Sequence, residues 1–288
     1  MSVEFISNLL RYSAPVGIAA MGETLGQRAG VINIGLEGMM ISSAYAGMVA
    51  SQTSHSPLVG VLAGALTGLV LAAVQSFFTL KLAADQIVCG TAINLLGLGL
   101  TGTLYRMNYG NSGQLLSVPK IPQLAGGLDF ILICWILLTL AMMFVLFRTK
   151  IGLAVRACGE KPEVVTSIGF SVIKLRFLSL CIGGVLAGVA GAYLSLGIAG
   201  SFAENMTAGR GFVALAMVTF GRWNTIGVFC ASLFIGYADS LQFELQAKGV
   251  NLPPQLFIAL PYVLALAVLI VVGRGTAVPE SLGKQERT

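Results

Sequence analysis

The chain has 288 residues, of which 56% are hydrophobic and only 10% charged, and it carries a formal net charge of +5 with a mean hydropathy of +0.87. Because a soluble domain carries about 25% charged residues, this composition excludes a soluble globular protein and indicates an integral membrane protein. The 36 glycines favour closely packed membrane helices, since small residues let helix backbones approach each other in lipid. We therefore predict an all-α polytopic membrane protein, with residues 1–288 forming a single transmembrane domain.

Apolar runs of about 20 residues, the length needed to cross a bilayer, predict seven clear spans. In chain order they cover residues 31–51, 58–80, 86–105, 127–147, 177–199, 226–243 and 255–272. Two further segments, 5–27 and 203–220, contain the polar strings GETLGQRAG and AENMTAGRG. Non-helical backbone at membrane depth survives only when it is buried in protein or lines a wet cavity. We expect about eight or nine spans, one or two of them broken or half-length, and the broken segments are candidate elements of a transmembrane pathway.

Two of the predicted spans carry small residues at four-residue spacing. This spacing places the small residues on one face of each helix and predicts close helix contacts, either within the chain or with another subunit. The residues are Gly60, Gly64 and Gly68 in one span, and Gly183, Ala187 and Gly191 in the other, with Gly184 and Gly188 as a parallel pair.

The orientation follows from lysine and arginine, which are retained on the cytoplasmic side. Placing the loop 148–176 inside puts most of the 17 basic residues in the cytoplasm, together with the tail 273–288. The N-terminus then lies outside if segment 5–27 crosses the membrane fully and inside if that segment is re-entrant. Both arrangements remain open.

The string INIGLEG places an ionisable residue, Glu37, where a membrane helix should begin. A carboxylate that faces lipid is strongly disfavoured, so Glu37 is expected to face the bundle interior or water. A structural role would give it a partner such as Arg28, Arg156 or a backbone amide. The alternatives are that Glu37 lines a pathway or gate, or that its side chain reaches towards the cytoplasm. Asn33 is expected to bond across helices.

The cytoplasmic loop 148–176 is predicted to contain a short helix. Pro162 suits a first helical turn, Glu163 complements the helix dipole, and Gly169 suits the left-handed position that ends a helix. Val164 and Ile168, together with Val165, would form an apolar stripe on a helix too short to be stable alone. Such a helix needs a surface to dock on, which is either the bilayer or a cytoplasmic partner protein.

Three strings give the sequence a family resemblance: GVINIGLEGMM, DQIVCGTAINLL and the long stretch 152–196 beginning GLAVRACGEKPEVV. They resemble permease subunits of ATP-binding-cassette (ABC) importers of the branched-chain amino acid, ribose and nucleoside superfamily, most closely the smaller permease of nucleoside importers. The resemblance implies a type II ABC-importer-like fold and a bacterial cell-membrane location.

The resemblance also implies partners. These are a second homologous permease in a heterodimer, a cytoplasmic ABC ATPase that docks on a coupling helix, and an extracytoplasmic substrate-binding protein. Residues matching the coupling segment, with two from its apolar stripe, are Arg156, Ala157, Gly159, Glu160, Lys161, Pro162, Glu163, Val164, Ile168 and Gly169.

Enzyme motifs are missing from the sequence. A P-loop requires GxxxxGK followed by Ser or Thr, and this string does not occur, nor do HExxH or GxSxG. We expect no enzymatic activity and no cofactor in this chain, with ATP and Mg²⁺ used by the partner ATPase. Two other function classes remain open: an ion-coupled secondary transporter, which would need inverted repeats and a midplane carboxylate, and a scaffold protein.

Polar residues inside spans are candidates for contact with the transported substrate. Asn94 is the best candidate for bonding a sugar hydroxyl or a base edge, with a structural bond between helices as its alternative, and Gln86 lies at the start of the same span. The interior polar set is Asn33, Glu37, Gln86 and Asn94. Permeases for ribose, other simple sugars or branched-chain amino acids share these motifs and remain alternatives.

Overall fold

The computed structural model describes residues 3–110, 118–124, 127–247, 263, 266, 270 and 278–284. Within these ranges the chain is helical, with no strand and one isolated β-bridge between Gln123 and Asp129. The helices are α1 Val3–Arg28, α2 Leu36–Ser54, α3 Pro57–Ser76, α4 Gln86–Tyr109, α5 Phe130–Arg148, α6 Lys150–Glu160, α7 Pro162–Ser167, α8 Val172–Tyr193, α9 Arg210–Phe220 and α10 Thr225–Ala247. π-Helical turns at Phe77–Lys81 and Leu194–Ala199 extend α3 and α8.

Four of these helical segments are long and apolar enough to cross a membrane, by length and composition. They are Pro57–Lys81, Gln86–Tyr109, Phe130–Arg148 and Val172–Ala199. Their outward faces carry large exposed apolar side chains such as Leu62, Leu95 and Phe144, as lipid or subunit contact requires. The all-α, polytopic architecture agrees with the prediction. The predicted span 255–272 lies outside the described residues except for positions 263, 266 and 270.

The two segments predicted to be broken behave differently. Segment 5–27 forms part of α1, one continuous helix, so that prediction is wrong. The polar groups of its GETLGQRAG string are satisfied inside the protein, because Thr24 donates to the Ala20 carbonyl at 2.7 Å and Gln27 donates to Glu23 at 2.9 Å. Segment 203–220 does consist of an irregular turn followed by the 11-residue α9, as predicted.

Close packing through glycine joins α8 to α3 within the chain. A Cβ atom at Gly184 would lie 2.5 Å from the Gly68 carbonyl oxygen, and one at Gly188 would lie 2.3 Å from the Gly64 oxygen. The two backbones are therefore in direct contact, which confirms the intrachain alternative for this pair of small-residue faces. α1 and α2 also pack on α8, and α4 packs mainly on α2.

The bundle has two ends, and the termini of the helices locate them. At one end, called the α7 end, the last residue of α1 meets α6, the first turns of α8 and the tail segment 278–284. At the opposite end, segment 118–124 crosses the top of α8, where the amide of Val118 donates to the Gly200 carbonyl at 3.2 Å.

Candidate functional site

Glu37 is buried and binds the amino-terminal end of α9. Its carboxylate accepts hydrogen bonds from the hydroxyl of Thr207, from the amide of Gly209 at 2.8 Å and from the amide of Gly211 at 2.7 Å. The first amides of a helix have no partners within the helix, and they carry a partial positive charge that favours an anion. The predicted structural role, with a backbone amide as partner, therefore fits the geometry, whereas the other proposed partners, Arg28 and Arg156, do not bond to Glu37.

The local sequence allows this close approach. A Cβ atom at Gly211 would lie 2.5 Å from the Glu37 amide nitrogen, so only glycine lets α9 come this near to α2. In the turn before α9, the backbone of Asn205, Ala208 and Gly209 adopts the left-handed conformation. The sequence did not reveal these partners, because Thr207 and Gly211 lie about 170 residues downstream of Glu37.

Asn94 bridges α4 to the start of α2. Its side-chain oxygen accepts from the Gly38 amide at 2.7 Å, and its side-chain nitrogen donates to the Ile34 carbonyl at 2.9 Å. The side chain is buried and uses both ends of its amide. These bonds fit the structural alternative of the two that the sequence allowed for Asn94.

The side chains of Gln86 and Glu23 support the non-helical segment 29–35, which contains Asn33. The amide of Ile32 donates to Gln86 at 3.0 Å, and the amide of Asn33 donates to Glu23 at 3.1 Å. Glu23 also accepts from Gln27, whose side-chain oxygen accepts from the Trp223 indole at 2.7 Å. Gln86 and Asn94 thus bind backbone around the start of α2, whereas Glu37 binds the start of α9. The Asn33 side chain donates to the sulfur of Met39 at 3.4 Å, six residues along the chain, and this is not the bond to another helix that the sequence predicted.

Two ion pairs flank the turn 203–209. Arg106, near the end of α4, makes a bidentate pair with Glu204, with N–O distances of 2.9 and 2.8 Å, and both side chains are exposed. Arg210, the first residue of α9, lies 3.6 Å from the Asp239 carboxylate on α10. These pairs join the turn to the two helices on either side of it.

Helix α7 matches the predicted short helix in its bounds. It begins at Pro162 and ends at Ser167, and Gly169 follows with a φ of +85°. The expected apolar stripe is divided, however, because Val165 is fully buried against Cys158 and Val172, while Val164 and Ile168 are exposed by 50% and 61%. Phe170, which the sequence pattern did not single out, follows shortly after them and is 44% exposed.

The remaining residues of the predicted coupling segment divide into inward and outward groups. Arg156 is half-buried with its guanidinium 5.0 Å above the Phe147 ring, and Gly159 is buried against the end of α1. Glu160 to Val164 line a cleft of about 450 Å³ whose other wall is Glu280, Ser281 and Lys284. The tail segment 278–284 therefore forms part of the same surface, which the sequence did not predict.

A match to a known protein family covers most of the chain. The family described as branched-chain amino acid transport system / permease component matches residues 5–273. The chain belongs to this permease family. It is accordingly a multi-pass cell-membrane protein, and members of the family work in general with an ATPase and a substrate-binding protein.

Curated relatives cover nearly the whole permease. It is 33% identical to the nucleoside ABC transporter permease protein NupC of Lactococcus lactis, with 92% of this chain and 90% of that protein covered. It is 32% identical to the guanosine ABC transporter permease protein NupQ of Bacillus subtilis, at 93% and 92% coverage. It is also 33% identical to the putative glucose ABC transporter permease protein TsgC13 of Haloferax volcanii, at 82% and 76% coverage. No solved structure matches the chain significantly.

Proposed function

We propose that this chain is one permease subunit of an ABC importer for nucleosides, paired with a second, homologous permease. The observation that carries the proposal is its similarity over nine-tenths of its length to two permeases named for nucleoside and guanosine transport. The exposed surface around α7 supports the same proposal, because Val164 on the helix and Ile168 and Phe170 just after it offer a partner protein an apolar contact. The chain transports, and ATP with Mg²⁺ is bound and hydrolysed on the ATPase.

The α7 end faces the cytoplasm in this proposal. The segment 148–176 that carries α7 is rich in lysine and arginine, which are retained on that side. The ATPase docks on the outward residues of the coupling segment, and the substrate-binding protein docks at the opposite end. Eight or nine spans, about the number that the apolar runs allow, complete the bundle.

The pathway in this proposal follows the exposed faces of α4 and α9. Helix α9 rises about 16 Å from its 11 residues, which is about half of a 30 Å hydrocarbon layer. We place the turn 203–209 at membrane depth in this proposal, and its residues Glu204, Asn205 and Ala208 are exposed. Irregular backbone at that depth must line water or contact protein, so this face meets the pathway and the second permease rather than lipid.

A sugar is the second candidate substrate, and the similarity to TsgC13 favours it. Both candidates are neutral molecules with several hydroxyl groups. Only the nucleoside adds a flat aromatic base, which an exposed aromatic side chain such as Phe212 at the start of α9 would stack against.

The test is uptake by cells that express the complete importer. We expect labelled guanosine or another nucleoside to enter, glucose not to compete, and an ATPase and a second permease to copurify with this chain. Uptake should stop when ATP is depleted while the proton gradient is preserved. Uptake of glucose instead would establish the second candidate, and uptake that follows the proton gradient would exclude an ABC importer.

A further inference from the structure

Ser281 is the point at which the tail segment 278–284 binds the end of α6. Its amide donates to the Gly159 carbonyl at 2.8 Å, and its hydroxyl lies 2.7 Å from the same oxygen and 3.1 Å from the Cys158 carbonyl. A hydroxyl donates one hydrogen and accepts others, and Ser281 accepts from the Arg176 guanidinium at 3.3 Å. The side chain is only 5% exposed, so these bonds are formed inside the protein.

The same point is tied to the end of α1 and to the start of α8. Arg176, on the second turn of α8, donates from Nε to the Ala29 carbonyl at 3.1 Å. The Gly283 amide donates to the Gly30 carbonyl at 3.2 Å. Four segments therefore share one buried group of hydrogen bonds: the ends of α1 and α6, the start of α8 and the tail.

The end of α6 packs directly against the end of α1. A Cβ atom at Gly159 would lie 2.3 Å from the Arg28 carbonyl oxygen, so the two backbones touch. Gly159 is three residues before Pro162, the first residue of α7. From Gly30 the chain continues through residues 32 and 33, whose amides bond to Gln86 and Glu23, to the start of α2.

We propose that Ser281 is a positioning residue of energy coupling, which fixes the base of α7 to the ends of α1 and α8 so that a displacement of α7 moves these transmembrane helices. The inference rests on the proposed function, since it requires an ATPase that acts on α7. It adds to the function a residue outside the coupling segment, 112 positions after its last residue, Gly169. Ser281 contacts neither the substrate nor ATP, and it acts through Gly159 and Arg176.

The experiment uses the complete importer in proteoliposomes and measures ATP hydrolysed and nucleoside taken up in the same sample. With Ser281→Ala we expect the complex to assemble and ATP hydrolysis to continue, while uptake per ATP falls by about fivefold or more. Arg176→Lys, which keeps the charge but loses the fork of donors, should act in the same direction. Both variants weaken the contact between Arg176 and Ser281, although Arg176→Lys also affects the bond to Ala29, so the double variant should be less severe than the product of the two single effects.

Ser54→Ala is the matched control, since Ser54 also donates to a backbone carbonyl but lies at the opposite end of the bundle. It should leave the nucleoside uptake per ATP hydrolysed unchanged. An unchanged ratio in an assembled Ser281→Ala complex would overturn the inference, as would effects of Ser281→Ala and Arg176→Lys that multiply in the double variant. A parallel fall in ATP hydrolysis, uptake and melting temperature would show a merely structural role and would overturn it as well.

A second measurement does not depend on the substrate. Addition of ATP to the wild-type complex should change hydrogen exchange at the backbone amides of residues 29–36, and this response should be lost in Ser281→Ala. A response retained in the variant contradicts the inference. If the wild-type importer responds to ATP in this way but takes up no nucleoside, the proposed substrate is wrong and the positioning role stands.

Discussion

At the scale of single residues, the polar groups inside this membrane protein hold backbone in place. Glu37 and Asn94 each bind two or more backbone groups of another segment. The reason is physical: segment 29–35 and turn 203–209 are not helical, so their amides and carbonyls need partners that a bilayer cannot supply. Side chains placed on regular helices provide those partners.

Substitution of Glu37 tests this structural role. Glu37→Leu leaves the donors of Thr207, Gly209 and Gly211 without their acceptor, and each unsatisfied buried donor costs about 1–3 kcal/mol. Glu37→Gln keeps one oxygen but turns an amide nitrogen towards donors, so its effect should be intermediate. We expect the melting temperature of the purified protein to fall in the order wild type, glutamine, leucine.

Thr67→Val is a control for the loss of a polar group in a membrane helix, because Thr67 bonds only to the carbonyl of Ala63 in its own helix among the contacts described. Its melting temperature should stay near that of the wild type. A Glu37→Gln variant with a normal melting curve and altered substrate preference would place Glu37 in the pathway instead.

At the scale of helices, two contacts decide how the elements are arranged. α3 and α8 meet through glycine, with only alanine side chains beside the contact, whereas α7 is held by the buried Val165 and presents Val164 outward. The first contact fixes a scaffold, and the second leaves a surface for another protein.

Replacing Gly184 by alanine should force α3 and α8 apart. The new Cβ atom would lie 2.2 Å from the Ala72 Cβ atom and 2.5 Å from the Gly68 oxygen, and overpacking of this kind costs about 1–3 kcal/mol. Gly99→Ala is a closely matched control, since nothing lies within 4 Å of its Cβ position on α4. Thermal melting should show a loss for Gly184→Ala and no loss for Gly99→Ala. Equal behaviour of the two variants would contradict the described packing.

The faces of α7 give a second prediction at this scale. Val164→Ser and Ile168→Ser remove exposed apolar contact and should weaken ATPase binding by about tenfold, as loss of a central interface residue does, without changing the melting temperature. Val165→Ser should instead lower the melting temperature, because Val165 is fully buried. The measurements are ATPase binding to the detergent-solubilised permease and melting of the permease alone. If Val164→Ser and Ile168→Ser bind the ATPase normally, α7 is not the docking helix.

At the scale of the whole molecule, different interactions hold the segments together at the two ends of the bundle. The α7 end is tied by buried hydrogen bonds around Ser281, whereas the turn towards the opposite end is joined to α4 by the exposed pair of Arg106 and Glu204. Because both side chains are exposed, water can replace their mutual hydrogen bonds, so the pair can separate and re-form during a transport cycle.

Cross-linking tests whether this separation is needed. Arg106→Cys combined with Glu204→Cys, joined by a short reducible reagent, should abolish uptake, and reduction should restore it. The single variant Arg106→Cys treated with the same reagent controls for reaction at the native cysteines, of which Cys230 is exposed. Full uptake with the cross-link in place would mean that the turn and α4 stay together throughout transport.

The sequence predicted helices well where hydrophobicity alone decides them. The apolar runs located α3, α4, α5 and α8 to within a few residues, and Pro162 with Gly169 predicted the limits of α7. The sequence failed where distant contacts decide. GETLGQRAG looked like a break because Glu23 and Gln27 are polar, and their bonds to Asn33 and Trp223 arise only in the fold. α6 was missed because it is short and amphipathic.

The candidate site was predicted less completely than the fold. The burial and structural role of Glu37 followed from the cost of a carboxylate in lipid, but its partners on the far side of the chain did not. Val165 was assigned to a docking stripe because a pattern of apolar residues does not say which of them the protein itself covers. Ser281 carried no local signal, since its importance arises from segments brought together by folding.

The glycine contact between α3 and α8 also limits how this sequence can evolve. Gly64 faces Gly188 and Gly68 faces Gly184, and in each pair the carbonyl of one residue occupies the space that the other's side chain would need. A larger residue at one position cannot be accommodated by a smaller one opposite, because the position opposite is already glycine. Substitution of glycine is therefore disfavoured at all four sites. A saturation library should recover glycine there, while the lipid-facing positions of the same helices vary freely.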